Sequence, residues 1–340
     1  MHSSKQAVKP SIKSIAVLGA GSWGTALALL LARNGIQVAL WGLEDEVRLL
    51  QQQGENSRYL PGIPFPANLQ PQASLQQAIA SSDEILLAVP SRAFRAVLQQ
   101  IAEICRPRHV SWATKGFDPH GRQPLSEVAR EIFPQAELAV LSGPTFAIEV
   151  ARGQPTAITV ASTSEDLAHR LAAALQCDAF RVYTTDDLIG VQVGGATKNV
   201  MAIAAGLSDG LGFGANARAA LITRGLAEIT RLGKALGAHA STFMGLTGLG
   251  DLTLTCTDDK SRNRRMGLAL ARGLSIDEAF AEIGQEVEGV HAAEDAWMMA
   301  QEHGVEMPIT RQVYRILYQQ LDPQVAVREL LHRSQKAEAD

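Results

Sequence analysis

Short apolar runs alternate with longer stretches whose apolar positions recur every three or four residues through the first half of the chain. The runs lie at 14–18, 38–41, 84–89, 110–114, 138–141 and 157–161. Strands buried on both faces read this way, and helices between them predict a parallel, doubly wound sheet. The stretch 25–33 has helical spacing and closes on Asn34 and Gly35, a helix C-terminus. A last strand is predicted near 180–183. Beyond about 186 the strand pattern stops, and 189–207, 218–236, 262–271, 276–283, 292–303 and 310–318 read helical. The expected fold is an α/β Rossmann-type sheet domain over 14–185 followed by an all-α domain over 186–334. Loosely held ends are expected at 1–13 and 335–340.

Length supports this division, since 340 residues exceed the size at which one core usually stops growing. With 46% hydrophobic and 19% charged residues the chain is ordinary globular material. A net charge of -4 offers no field for nucleic acid or an anionic membrane, so any anion must be held by a local basic cluster. The early apolar run 26–32 is far short of the roughly 20 residues of a spanning helix, and the polar start lacks a secretory apolar stretch. A cytoplasmic location without membrane insertion is expected. Three cysteines without CxxC spacing suggest neither disulfides nor zinc, and no histidine pair suggests a metal.

The chemistry begins with GAGSWG at residues 19–24, placed after a strand and before a helix. In that context Gly19 permits the tight turn, Gly21 lets backbone amides approach a pyrophosphate, and Gly24 lets helix and strand pack. The helix N-terminus then faces the anion. After the second strand come Leu43, Glu44 and Asp45, with Arg48 nearby. Acidic residues here suit the ribose of NAD, and Arg48 keeps NADP open. Glu44 and Asp45 are equally what a helix first turn favours.

Ligands of open α/β sheets lie beyond the carboxyl ends of the strands. Lys115, in WATKG, and SGPTFA at 142–147 follow two such ends. In the helical half, GVQVGGATKNV sets Gly194 and Gly195 four and three residues before Lys198. Two helical glycines cost about 0.5 to 1 kcal/mol each relative to alanine, so they make room for a ligand beneath Lys198 or for a closely packed neighbour. In GLGDLTLTCTDDKSRNRR, Asp251 sits in a glycine-rich turn, and Ser261, Arg262 and Asn263 open a helix. Their donors, charge and dipole could converge on a phosphate, whereas Arg264 and Arg265 read as a solvated basic face.

Together with GLSDGLGFGANARAALITRGLAEI, VEG and GVEMPIT, these segments run in one order from Ile15 to Leu330 and resemble the bacterial NAD(P)-dependent glycerol-3-phosphate dehydrogenases. The resemblance implies a Rossmann domain and a 6-phosphogluconate-dehydrogenase-like helical domain. It also implies NAD(H) or NADP(H) as cofactor, and dihydroxyacetone phosphate or sn-glycerol 3-phosphate as substrate. It further implies a homodimer supplying phospholipid synthesis. By the same resemblance Gly19, Gly21, Ser22, Trp23, Gly24, Ala147 and Glu288 contact the cofactor, and Lys115, Arg262 and Glu286 are assigned there too. Lys198 is the proton-transfer group. Lys115, Gly143, Thr145, Asp251, Ser261, Arg262 and Asn263 join it around the substrate. Leu43 stands where members often carry histidine or arginine, and Glu286 where many have an apolar residue.

Two other readings share parts of this pattern. A β-hydroxyacid dehydrogenase or ketopantoate-type reductase would use the same fold and a lysine, but its carboxylate substrate has no need of SRNRR. A non-catalytic nicotinamide sensor would not require Lys115, Lys198 and Asp251 together.

Overall fold

The computed structural model describes residues 12–332. The expected loose ends at 1–11 and 335–340 lie outside the described residues. Residues 12 and 13, expected to be loose as well, are instead anchored. Ile12 is 1% exposed within the core, and the Lys13 amide donates to Asp83 at 3.1 Å. Contacts divide the chain into two compact units at Gln192/Val193.

The first unit is built on strands β1 (Ser14–Leu18), β2 (Gln37–Trp41), β3 (Leu69–Gln72), β4 (Glu84–Leu87), β5 (His109–Trp112), the short pair β6 (Phe117–Asp118) and β7 (Gln123–Pro124), β8 (Glu137–Ser142), β9 (Thr156–Ser162) and β10 (Phe180–Thr185). Between them run α1 (Ser22–Arg33), α2 (Glu44–Gln53), α3 (Leu75–Ala80), α4 (Ser91–Ile104), α5 (Leu125–Ile132), α6 (Ala147–Ala151) and α7 (Glu165–Leu175). Eight strands form one sheet in the order β10-β9-β8-β5-β4-β1-β2-β3. Alternate residues serve opposite faces. Ile15 and Val17 enter the core beneath α1, α6 and α7, while Ala16 and Leu18 enter the one beneath α3, α4 and α5.

The sheet departs from the expected all-parallel form at one place, where β8 and β9 pair antiparallel. Their connection holds only the five-residue α6, which rises about 7.5 Å. That is too short to carry the chain back along a six-residue strand of about 20 Å. The seven-residue β9 therefore starts from the end where β8 finished. Sequence reading also passes over β3, whose LQPQ is polar and carries a proline, as befits a strand at the sheet edge.

The second unit is helical. The helix α8 (Leu188–Gly210) spans the division, its residues up to Gln192 belonging to the first unit, where Leu188 and Val191 join the core, and α9 (Ala215–Ala235) follows. A 3-10 turn at Ala240–Met244 and a π-helical turn at Leu246–Gly250 follow. Then come α10 (Asp251–Thr257), α11 (Arg262–Ala271), α12 (Ile276–Ile283), α13 (Glu288–Glu302), α14 (Pro308–Gln319) and α15 (Pro323–Leu331). Among the described residues α8 is the one helix long and apolar enough to cross a membrane, and 94% of its apolar window is buried within the protein. It is a core helix.

One buried carboxylate does structural work in this unit. No side chain of its own caps α14, and Glu228 of α9 does so instead. It accepts from the amides of Ile309 at 2.6 Å and Thr310 at 3.1 Å, and from the Thr310 hydroxyl at 3.1 Å. Glu228 is 1% exposed, and burial pushes its carboxyl up from 4.5 to about 7 despite these donors. A raised carboxyl means that the folded protein holds a proton the unfolded chain has released, so stability falls as pH rises from about 4.5 to about 7. The full effect is at most about 3 kcal/mol. The melting temperature of the wild type minus that of Glu228→Gln should therefore decrease from pH 5 to pH 7.5. A difference that stays flat or grows would mean that Glu228 is ionised throughout.

Candidate active site

The glycine loop answers to its expected roles one residue at a time. Gly19 has φ +123, and a Cβ there would stand 2.7 Å from the Ala88 carbonyl oxygen at the end of β4. A Cβ on Gly24 would overlap the Gly19 carbonyl, so helix and turn touch at that point. Nothing lies within 4 Å of a Cβ on Gly21, which leaves the approach to the backbone open. No side chain caps α1. Its first-turn amides, from Ser22 onward, have no intrahelical acceptor by geometry. Asn56, 3% exposed, donates to the Ala20 carbonyl at 2.9 Å and to the Thr25 hydroxyl at 2.8 Å. That clamp occupies the loop's carbonyl and leaves amides as the groups an anion would meet. The Trp23 indole nitrogen is buried without a hydrogen-bond partner among the described residues. An uncapped helix end, an open glycine and an orphan donor fit a dinucleotide pyrophosphate.

Beyond β2, Leu43 is 67% exposed and is the N-cap position of α2. Glu44 and Asp45 fall in the first turn of that helix. Arg48 pairs with both, at 3.8 and 3.4 Å, on an exposed surface. The cation that kept a 2'-phosphate open is thus engaged by two carboxylates.

At the carboxyl end of β5 and β8 three predicted residues meet on one oxygen. The Gly143 carbonyl accepts from the Lys115 ammonium at 3.2 Å and from the Thr145 hydroxyl at 3.2 Å. Gly143 has φ +151 and faces Ile158 of β9, whose Cα would lie 2.9 Å from a Cβ, so only glycine fits. Ala147 begins α6 and packs, with Trp23, on the core beneath α1.

In the second unit Lys198, 6% exposed, reaches Asp251, which is fully buried. Its Nζ donates to Asp251 Oδ1 at 2.5 Å and to Thr255 Oγ1 at 2.9 Å. The Thr255 hydroxyl gives its own hydrogen to the Asp251 carbonyl at 2.6 Å, so its lone pairs face the lysine. Asp251 does not sit in a turn as expected: it opens α10 after the π-helical turn. Of the glycines before it, Gly248 serves packing, for a Cβ there would overlap the Phe243 backbone. Likewise a Cβ on Gly194 would overlap the Thr247 carbonyl, so Gly194 admits a neighbouring backbone rather than a ligand.

The α11 N-terminus is tied down on several sides. Ser261 is its N-cap, with Oγ accepting from the Arg264 amide at 3.2 Å. Asn263 donates to Asn199 Oδ1 at 2.9 Å and accepts from the Gly289 amide at 2.9 Å, joining α11 to α8 and α13. Arg262, partly buried, lies 3.4 Å from Gln285 Oε1. Arg264 departs from its expected place on a solvated face, since it is 8% exposed and ion-paired. Glu288 lies in the first turn of α13. Glu286 is exposed and 3.5 Å from His291.

Sequence reasoning passed over Asn56, Asn199, Thr255 and Gln285. Thr255 carried a usable signal, since it is one helical turn after Asp251. Asn56 had none, being remote from the loop it clamps. A cavity of about 550 Å³ in the second unit, between α8, α9, α14 and α15, is lined by none of the predicted site residues. The largely apolar cavity and the charged cluster are different places.

Residues 14–168 match the model for the NAD-dependent glycerol-3-phosphate dehydrogenase N-terminus, and 187–328 that for the C-terminus. A glycerol-3-phosphate dehydrogenase [NAD(P)+] of Pseudoalteromonas translucida is 56% identical over 329 residues, covering 96% of this chain and 98% of the relative. One from Thioalkalivibrio sulfidiphilus is 57% identical over 327 residues, covering 95% and 98%. The crystal structure of the Coxiella burnetii glycerol-3-phosphate dehydrogenase superposes with a TM-score of 0.92 at 49% identity, covering 94% of this chain and 99% of that one. The chain belongs to the NAD-dependent glycerol-3-phosphate dehydrogenase family.

Proposed function

We propose that this chain interconverts dihydroxyacetone phosphate and sn-glycerol 3-phosphate, with Lys198 moving the proton at the C2 oxygen. The observation that carries the assignment is the buried Lys198 ammonium held by Asp251 and Thr255. When bound, the nicotinamide supplies or takes up the hydride equivalent. It would be held at Gly19, Gly21, Ser22, Trp23 and Gly24, with Ala147 and Glu288 assigned to it by family likeness.

An ammonium has three hydrogens. Two point at Asp251 and Thr255, which sets the direction of the third. As the carbonyl is reduced, Lys198 gives its proton to the developing alkoxide, and its positive charge meets the charge forming there. The Asp251 carboxylate then faces a neutral amine, which favours reprotonation. Family likeness assigns Lys115, on the Gly143 carbonyl beside Thr145, to the substrate. Arg262, with Ser261 and Asn263 at a helix N-terminus, holds the phosphate. Family likeness assigns Glu286, with Lys115 and Arg262, to the cofactor as well.

The product, a phosphorylated glycerol, suits the supply of glycerophospholipid backbones. A homodimer in the cytoplasm, free of the membrane, is our reading of the remaining properties. The family resemblance and the burial of α8 support it.

Oxidation of NADH or NADPH by the purified protein, followed with dihydroxyacetone phosphate, tests the assignment directly. Lys198→Met should lower kcat by at least ~100-fold and leave NADH affinity within about twofold, since general acid catalysis typically contributes that much. Retention of more than a tenth of wild-type kcat would remove Lys198 from the role. Because Arg48 is engaged by Glu44 and Asp45, kcat/KM for NADH should at least equal that for NADPH. A strong NADPH preference would mean that another cation reads the 2'-phosphate. Arg262→Ala should cut kcat/KM for dihydroxyacetone phosphate at least ~10-fold, the worth of one charge-assisted hydrogen bond, while hardly affecting unphosphorylated dihydroxyacetone. An unchanged ratio between the two substrates would place the phosphate elsewhere.

A further inference from the structure

Arg264 lies two residues from Arg262 on α11 but has a different environment. Burying a guanidinium is costly unless carboxylates meet it, and here two do. Nη2 bonds Asp209 Oδ2 at 2.7 Å, and Nη1 pairs with Asp259. Asp209 also takes Arg218 Nη1 of α9 at 2.8 Å. Asp209 sits in the last turn of α8, where the helix dipole disfavours a carboxylate, so its two cations offset a locally poor choice. Asp259 lies in the link that leads to the Ser261 cap. The guanidinium therefore joins the far end of the Lys198 helix to the entrance of the Arg262 helix.

Backbone contact reinforces this join. A Cβ on Gly206 would overlap the Arg264 carbonyl, and one on Gly267 the Ile203 carbonyl. α8 and α11 touch with no side chain between them. Asn263, bonded to Asn199 beside Lys198, ties α11 to α8 at a second point. Two ties on each helix fix both spacing and rotation, and hence the direction in which the Arg262 side chain leaves α11.

We propose that Arg264 is a positioning residue for the substrate phosphate. Through Asp209 and Asp259 it holds Arg262 and Asn263 at a set distance from Lys198, without touching the substrate itself. This rests on the reading of Arg262 and Asn263 as the phosphate grip. Both its charge and its shape are needed, because lysine cannot bridge two carboxylates with a planar fork.

The test compares Arg264→Met, Arg264→Lys and Asp209→Asn with Arg262→Ala. It measures kcat and KM for dihydroxyacetone phosphate and dihydroxyacetone, the inhibition constant of inorganic phosphate, NADH affinity by fluorescence, and melting temperature. Arg264→Met should raise KM for dihydroxyacetone phosphate and the phosphate inhibition constant together, each by about tenfold, an effect on the scale of one lost charge-assisted contact. kcat with dihydroxyacetone and NADH affinity should stay within about twofold. Arg264→Lys should recover part of the loss. Asp209→Asn, nearly isosteric, should shift the same two quantities in the same direction, and it decides the matter if Arg264→Met fails to fold. Equal losses for both substrates together with a lower melting temperature would mean a purely structural ion pair and overturn the proposal. If Arg262→Ala alters the substrate ratio and neither Arg264→Met nor Asp209→Asn does, the grip stands and the positioning role falls. If none of the three alters it, the grip itself is wrong and the proposal falls with it.

Discussion

Backbone-to-backbone contact along α8 sets the distances on which the second unit's chemistry depends. Gly194 lets the Thr247 carbonyl lie against the helix one turn before Lys198. That contact delivers Asp251, four residues further on, to the lysine. Gly206 and the facing Gly267 do the same for α11, and so for Arg262 and Asn263. Each glycine lowers helix propensity by about 1 kcal/mol, a cost repaid by packing. A methyl at any of them would push a neighbouring element away, and misplacement by about 1 Å can cost about 100-fold in rate. The order of events is thus fixed from the backbone outward: close approach first, polar alignment second.

Buried charge is the second departure from what a stable core prefers. Lys198 and Asp251 form an ion pair in the interior, where the desolvation cost can exceed the attraction. A pair of matched hydrophobic residues would stabilise the fold at least as well. Its presence there makes sense as preorganisation, a charge kept in place before the substrate arrives. Glu228 shows the other outcome for a buried carboxyl. Burial outweighs its amide and hydroxyl donors and the charge of nearby Arg231, so it is pushed up to about 7 and serves as a helix cap.

The legible part of the chain was local. Strand runs such as 14–18 and 84–89 are apolar because both sheet faces are covered, so periodicity alone identifies them. GAGSWG carries its meaning in a single turn, and each glycine has a separate steric reason. What escaped was set by partners remote in sequence. The antiparallel return into β9 follows from the length of α6, which a short amphipathic segment does not announce. Asn56 acts 36 residues from the Ala20 carbonyl it clamps, and Thr255 acts 57 from Lys198. Gly194 was open to two readings because a glycine marks close approach without saying what approaches.

The string SRNRR makes the same limit concrete. Successive helical residues are turned by about 100°, so three arginines in one string face three directions. Arg262 is left partly open beside the α11 N-terminus, where a dianion is favoured by charge and dipole together. Arg264 faces the end of α8 and meets Asp209 there. Arg264 and Arg265 each keep a buried Nε with no partner among the described residues. The residue type supplies the charge, and helical phase decides whether that charge meets a ligand or a carboxylate. Phase can be counted from a cap that sequence does show, here Ser261. The neighbour waiting on each face cannot be counted, and it is that neighbour which turns an apparently solvated arginine into part of the frame behind the phosphate grip.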